Sequence, residues 1–292
     1  MNDTLIDETV DRIAEILGDD LADITIERAV LGLFFSGVKL SDGHGGLCFT
    51  PIKEIPDAVC CPSSAKAMPL SGRLSGRSAR EYLDDLSSGN VLKRALGIAT
   101  LNALSAACWD AMDHREYELE LGTDAFDEVR LGRLPEYTVV VGALVPIIKK
   151  LIAAEASFHI LEMDPSTLKP KELVYYVHAD RAAEFVPQAD RLVITGTTVL
   201  NGTLQGLLHM ARPEAEIVVT GPTASMLPDA FFAHGTTLMG GILVTKPDEL
   251  LDVISEGGSG YHFFGRSAER LVIRRPEVRE SGCVAPRAKA LS

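Results

Sequence analysis

Between Tyr137 and Val244, short apolar runs alternate with helical stretches, and this alternation constrains the fold more than any other feature of the chain. Tyr137 to Val141, Phe158 to Glu162, Leu173 to Val177, Arg191 to Thr195, Glu216 to Thr220 and Thr236 to Val244 read as strands. A strand buried on both faces is apolar at nearly every position, whereas one that faces water on one side alternates. Helices between such strands act as crossovers, so this half is predicted to be an α/β, Rossmann-like domain with a mostly parallel sheet.

The first half has a different pattern. Leu5, Val10, Ile13, Ala14 and Leu17 share one helical face, and Gly18 ends the run. Alternating Ile24 and Ile26, the apolar run Val30 to Phe35, then Val38, Leu40 and Leu47 to Phe49 follow, with Ser41 to Gly46 as a strong turn. This is the signature of an antiparallel hairpin or meander. Ser78 and Glu81 form a capping box ahead of Tyr82, Leu83 and Leu86. Val91 to Trp109 is apolar on nearly every face, which predicts a buried helix. Strands first and helices after make an α+β plan. The predicted division is an N-terminal α+β domain over 1–120, a linker over 121–135, the Rossmann-like domain over 136–276 and a tail over 277–292.

Charge narrows the partners. With 41 acidic against 28 basic residues the formal net charge is -13. Most of this surface would repel a phosphate backbone, so no nucleic-acid partner is expected. The apolar run Thr138 to Ile148 is short of the roughly 20 residues a bilayer span needs, so no membrane partner is expected either. Cys48, Cys60, Cys61, Cys108 and Cys283 are odd in number and contain no C-x-x-C pair, and the start has no secretory pattern. These features predict reduced thiols in a cytoplasmic protein.

In an open parallel sheet, ligands bind beyond the carboxyl ends of the strands. Three such ends carry conspicuous loops: Gly142-Ala143; Thr195-Gly196-Thr197-Thr198, running into Asn201-Gly202-Thr203; and Gly221-Pro222-Thr223-Ala224-Ser225. Glycine admits close approach of a ligand, and the Thr, Ser and Asn side chains add donors and acceptors. The bland alternative is that these side chains cap the following helices. Asn102 sits in the apolar helix and must find partners if buried, either neighbouring backbone or a ligand at the domain interface. Glu162 and Asp164, at the end of the second strand, are surface acids or part of the same site.

Glu162 follows Gly142 by about 20 positions, the spacing at which a Rossmann acid meets a ribose. Ala143-Leu144-Val145-Pro146-Ile147, however, lacks the second and third glycines that let a pyrophosphate pass. There is no phosphate loop, no G-x-S-x-G and no H-E-x-x-H. Cys60-Cys61, or His44 with Cys48, could ligate a soft metal, but adjacent cysteines suit one ion poorly.

Thr195 to Thr198 with Asn201 to Thr203, then Gly221-Pro222-Thr223, then Gly240-Gly241, preceded by Val140-Val141-Gly142, resemble the C-terminal domain of the prokaryotic family named "putative heavy-metal chelation". Gly76 through Glu81 and the helix with Gly97, Ala99, Asn102, Ala103 and Leu104 resemble its companion domain. Nearly the whole chain is covered. One departure is Gly221-Pro222-Thr223-Ala224, where Gly-Pro-Ser is expected; Thr keeps the hydroxyl. The resemblance implies an enolase-N-terminal-like domain packed on a Rossmann-like one, a site between them, and a role in heavy-metal chelation.

The resulting expectation is an interdomain site for a metal-chelating or anionic small molecule, or a metal complex. Its ligand-binding residues would be Gly142, Thr195, Gly196, Thr197, Thr198, Asn201, Gly221, Pro222, Thr223 and Asn102. No catalytic group and no protein metal ligand is assigned; the only cofactor foreseen is a metal ion carried with the ligand. The alternatives are a nucleotide-dependent enzyme and a non-catalytic sensor of metal complexes. Homo-oligomers are common for such proteins.

Overall fold

The structure, a computed structural model, describes residues 4–55, 70–112, 116–129, 131 and 136–275. The predicted tail from Glu277 and the pair Cys60-Cys61 lie outside the described residues.

Helix α1 (Thr4–Leu17) buries Leu5, Ile13 and Leu17. An antiparallel sheet follows in the order β1 (Ile26–Leu31), β2 (Phe35–Leu40), β3 (Gly45–Phe49). The apolar run expected over Val30 to Phe35 is split by a turn at Gly32, whose N–H donates to the Phe35 carbonyl at 3.0 Å. Helix α2 (Ala79–Asp84) begins with the predicted Ser78/Glu81 capping box. Helix α3 (Val91–Ala111) starts at Asn90, whose side chain accepts from the Leu92 and Lys93 amides. By length and composition α3 could cross a membrane, but 83% of that stretch is buried inside the protein. Small residues explain the fit. A Cβ on Gly46 of β3 would stand 2.1 Å from the Ala99 carbonyl oxygen and 2.5 Å from the Ala103 nitrogen, so helix and strand touch backbone to backbone.

The chain then enters a second, larger sheet. Its elements are β4 (Glu118–Leu121), α4 (Ala125–Glu128), β5 (Tyr137–Val141), α5 (Val145–Ala153), β6 (Ser157–Glu162), β7 (Tyr176–His178), α6 (Ala182–Phe185), β8 (Arg191–Thr195), α7 (Thr197–Leu200) and α8 (Leu204–Met210). After these come β9 (Glu216–Thr220), α9 (Asp229–Ala233), β10 (Leu238–Val244), α10 (Pro247–Ser255), α11 (Gly260–Phe263) and β11 (Ala268–Arg274). The strand order is β4-β11-β10-β9-β8-β5-β6-β7. The six strands from β10 to β7 are parallel, while β11 and β4 are antiparallel additions at one edge. The protein is thus an α+β molecule with a large mixed, mostly parallel sheet.

The central strands are buried on both faces, as their apolar runs predict. Val140, Ile160, Val193 and Val218 meet Ile147, Ile148 and Leu151 of α5 on one face. Val139, Val141, Leu192, Ile194, Ile217 and Val219 face the other way and join one continuous core with α1, β1–β3 and α3. Glu118 to Glu128, part of it read as linker, forms β4 and α4. Arg274 pairs with Glu120 at 2.7 Å and Glu128 at 3.1 Å across this added edge. The strand expected over Leu173 to Val177 is shorter, because Leu173–Tyr175 form one tight helical turn and only Tyr176–His178 reach β6.

Candidate functional site

The carboxyl ends of β5, β8 and β9 and the adjoining part of β10 open on a cavity of about 490 Å³. Its floor is Thr195, Gly196 and Thr197 after β8, Gly221, Pro222 and Thr223 after β9, and Gly240 to Ile242 of β10. Thr123 to Phe126 of the α4 segment close one wall, with Leu144 and Pro146 at the start of α5. Phe34, Phe35 and Phe49 reach in from the small sheet, and Ser259, Gly260, Tyr261 and Phe264 complete the rim. Phe34 and Phe49 are 44% and 36% exposed and Tyr261 is 99% exposed, so the rim is aromatic and open to solvent.

Six of the ten sequence-predicted residues therefore share one cavity: Thr195, Gly196, Thr197, Gly221, Pro222 and Thr223. The other four do not line it. Thr198 is buried and its hydroxyl donates to the Thr195 carbonyl at 2.7 Å. The exposed Asn201 Oδ1 accepts from both the N–H and hydroxyl of Thr203, a local turn contact just ahead of α8. Gly142 has φ +95°, and a Cβ there would meet the Thr195 Cγ2 at 2.7 Å, so its glycine is demanded by the neighbouring strand end.

Asn102 is the strongest tie between the two halves. Its Nδ2 donates to the carbonyls of Leu47 at 2.7 Å, Thr223 at 3.0 Å and Pro222 at 3.3 Å. The helix thus holds both the end of β3 and the loop after β9. Ser105 of the same helix accepts from the Leu227 amide at 3.0 Å. Cys48, behind this junction, is buried, and burial pushes its thiol pKa well above the usual range.

Of the two acids after β6, Glu162 accepts from the amides of Met163 and Asp164. The Lys53 ammonium, 2.6 Å away, and Ser166 hold Asp164 down to a pKa of about 2. Neither lines the cavity. His44, an imagined partner of Cys48, instead lies between Asp42 at 3.2 Å and Asp110 at 3.1 Å. Hydrogen bonding to Asp42 raises its pKa above the ordinary imidazole value.

The sequence reading missed Arg270, Asp124 and the aromatic rim. Arg270 Nε pairs with Asp124 Oδ2 at 2.9 Å, and its guanidinium lies 4.2 Å from the centre of the Phe264 ring. Asp124 also caps α4 by accepting from the Phe126 amide. The short apolar run Leu271 to Ile273 was the available signal for β11, but no local feature of the sequence shows which cavity such a strand borders.

A mostly parallel sheet with a hydroxyl- and aromatic-lined cavity at its strand ends defines the class. The chain belongs to the DUF364 family, described as "Putative heavy-metal chelation", which matches residues 124–273; DUF4213, with the same description, matches 14–105. The crystal structure of a Pyrococcus horikoshii DUF364 protein of unknown function is similar, with TM-score 0.72 and 20% identity, over 92% of this chain and 99% of that one. Another from Desulfitobacterium hafniense gives TM-score 0.63 and 19% identity over 90% and 98%. An uncharacterised protein of Methanocaldococcus jannaschii is 27% identical over 196 residues, 65% of this chain and 70% of that protein.

Proposed function

We propose that the chain binds a small organic molecule, a metal chelator or its metal complex, in the cavity at the strand ends. The observation that carries this is the composition of the wall: aromatic rings and threonine hydroxyls around a space of about 490 Å³, inside the usual range for small-molecule sites. The donor set does not fit a bare metal ion. Among the described residues no group of three or more His, Cys, Asp or Glu lies together, and the one carboxylate in the wall, Asp124, is already paired with Arg270. A heavy metal would enter here as part of the ligand, coordinated by the chelator.

The parallel strands fit a Rossmann-like reading. Numbered along the chain from β5, they lie in the order 3-2-1-4-5-6, and β5 beside β8 is the point where that order reverses and ligands bind. The three-stranded meander followed by helices fits an enolase-N-terminal-like first half over 1–120. The strand order also favours a second reading, a nucleotide-dependent enzyme. Against it, Leu144 occupies the turn where a pyrophosphate needs glycine, and the Glu162 carboxylate is engaged by its own backbone. The buried free thiols Cys48 and Cys108 fit a cytoplasmic setting.

Native mass spectrometry of freshly purified protein, followed by thermal-shift titration with pyridine-2,6-dicarboxylate and its nickel complex, tests the proposal. The expected result is a retained small-molecule mass or a saturable stabilisation, lost when Thr197→Trp fills the cavity. Stabilisation by NAD or ATP alone, with no response to either chelator species, would replace it with the nucleotide reading.

A further inference from the structure

Arg270 is the one cation in the cavity wall among the described residues, and its placement assigns a chemistry to the ligand. The side chain is held at two points. Nε pairs with Asp124, and the flat face of the guanidinium rests on Phe264. Both contacts leave the terminal nitrogens Nη1 and Nη2 without a hydrogen-bond partner among the described residues. A guanidinium fixed through Nε and stacked on a ring has lost much of its rotamer freedom before any ligand arrives. Its remaining N–H groups form a planar fork that matches the two oxygens of a carboxylate or phosphate.

The surroundings strengthen that preference. Phe34, Phe35, Phe49, Phe126 and Phe264 give the wall flat apolar faces, against which a planar ligand body can lie beside the one charged fork. Asp124 is the only acid in the wall among the described residues, and it touches Arg270 on the Nε side. An entering oxyanion can therefore take the fork without first displacing Asp124. On a protein of net charge -13, this is a local positive end in a negative surface, suited to orienting a ligand rather than to drawing any anion from afar.

Resting on the small-molecule reading above, we propose that Arg270 is the recognition residue for an oxyanion carried on a flat apolar body, with the body between the phenylalanines and the oxyanion on Nη1 and Nη2. The ligand class is planar carboxylates and aryl phosphates. Asp124 is a positioning residue, acting on the ligand only through Arg270.

Calorimetric titration compares quinoline-2-carboxylate, phenyl phosphate and the neutral quinoline-2-carboxamide on the full chain. The native protein is expected to bind at least one of the two anions tenfold or more tightly than the amide. Arg270→Gln should abolish that preference while leaving amide affinity within about twofold, and Arg270→Lys should restore only part of it. Asp124→Asn keeps the α4 cap but releases the hold on Nε, so anion affinity should fall about threefold or more while amide affinity stays within about twofold; this arm decides the matter if Arg270→Gln fails to fold. Equal binding of anions and amide, a preference that survives Arg270→Gln, or anion binding unchanged or strengthened by Asp124→Asn would overturn the assignment. In each of those outcomes the amide still binds, and the small-molecule reading stands. Absence of binding by all three probes would instead remove both.

Discussion

The two loops that follow β8 and β9 look alike in sequence and do different work. Thr195-Gly196-Thr197 leaves its hydroxyls at the cavity: Thr197 Oγ1 donates to Thr195 Oγ1 at 3.2 Å, and both residues line the wall. Gly221 to Ser225 turns its hydroxyls to the fold. Thr223 Oγ1 accepts from the Phe49 amide at 3.0 Å, and Ser225 Oγ accepts from the Ile242 amide at 2.8 Å while donating to the Pro222 carbonyl at 2.9 Å. The difference comes from what lies behind each loop. The second is pressed against β3 and β10, whose Phe49 and Ile242 amides must be satisfied once water is excluded. A hydroxyl after a parallel strand is therefore a ligand candidate only where no second layer of backbone claims it.

The sharpest way to break this contrast is at Asn102. Asn102→Asp is nearly isosteric but sets an acceptor against three carbonyls, so it should destabilise the protein by about 3 kcal/mol or more, and more than Asn102→Ala. Equal costs for the two, in urea unfolding, would mean that the converging carbonyls have other donors. Next in size is Ser225→Ala, which orphans the buried Ile242 amide and should cost about 1–3 kcal/mol by the same measurement.

Thr197→Val probes the other loop. Its stability should change by no more than about 0.5 kcal/mol, whereas affinity for pyridine-2,6-dicarboxylate should fall about 3–10-fold, the worth of one neutral hydrogen bond. A large stability loss with unchanged affinity would place Thr197 with the structural hydroxyls. The smallest effect belongs to His44, far from both loops in role. Its pKa is raised by Asp42, so its contribution is fully present below about pH 6.5 and is lost as pH rises through the higher folded-state value. Thermal melts of wild type and His44→Gln should differ most near pH 5.5 and converge above pH 8. Divergence growing with pH would reverse the assignment of the clasp.

Local pattern carried much of the fold. The edges of β5, β8 and β9, the Ser78/Glu81 capping box and the buried helix α3 were legible because short-range periodicity and capping chemistry act within a few residues. β4 was not, since this edge strand gains its identity from β11, a partner more than a hundred positions away; β11 was not either, its short apolar run being flanked by charged residues. The candidate site divided along the same line. Both hydroxyl loops could be found from the sequence, as could Asn102, because strand ends with Gly, Thr and Asn announce themselves. Arg270, Asp124 and the phenylalanines of the rim could not, because each belongs to a different element and acquires meaning only when the elements meet.

The sequence by itself determined that a mostly parallel sheet would form and where its carboxyl ends would expose polar loops, because burial on both faces requires continuous apolar strands. Only the tertiary structure decided which hydroxyls remain at the cavity. That choice depends on whether β3 and β10 bring unsatisfied backbone groups within hydrogen-bonding reach, and no local pattern encodes the distance between two such surfaces.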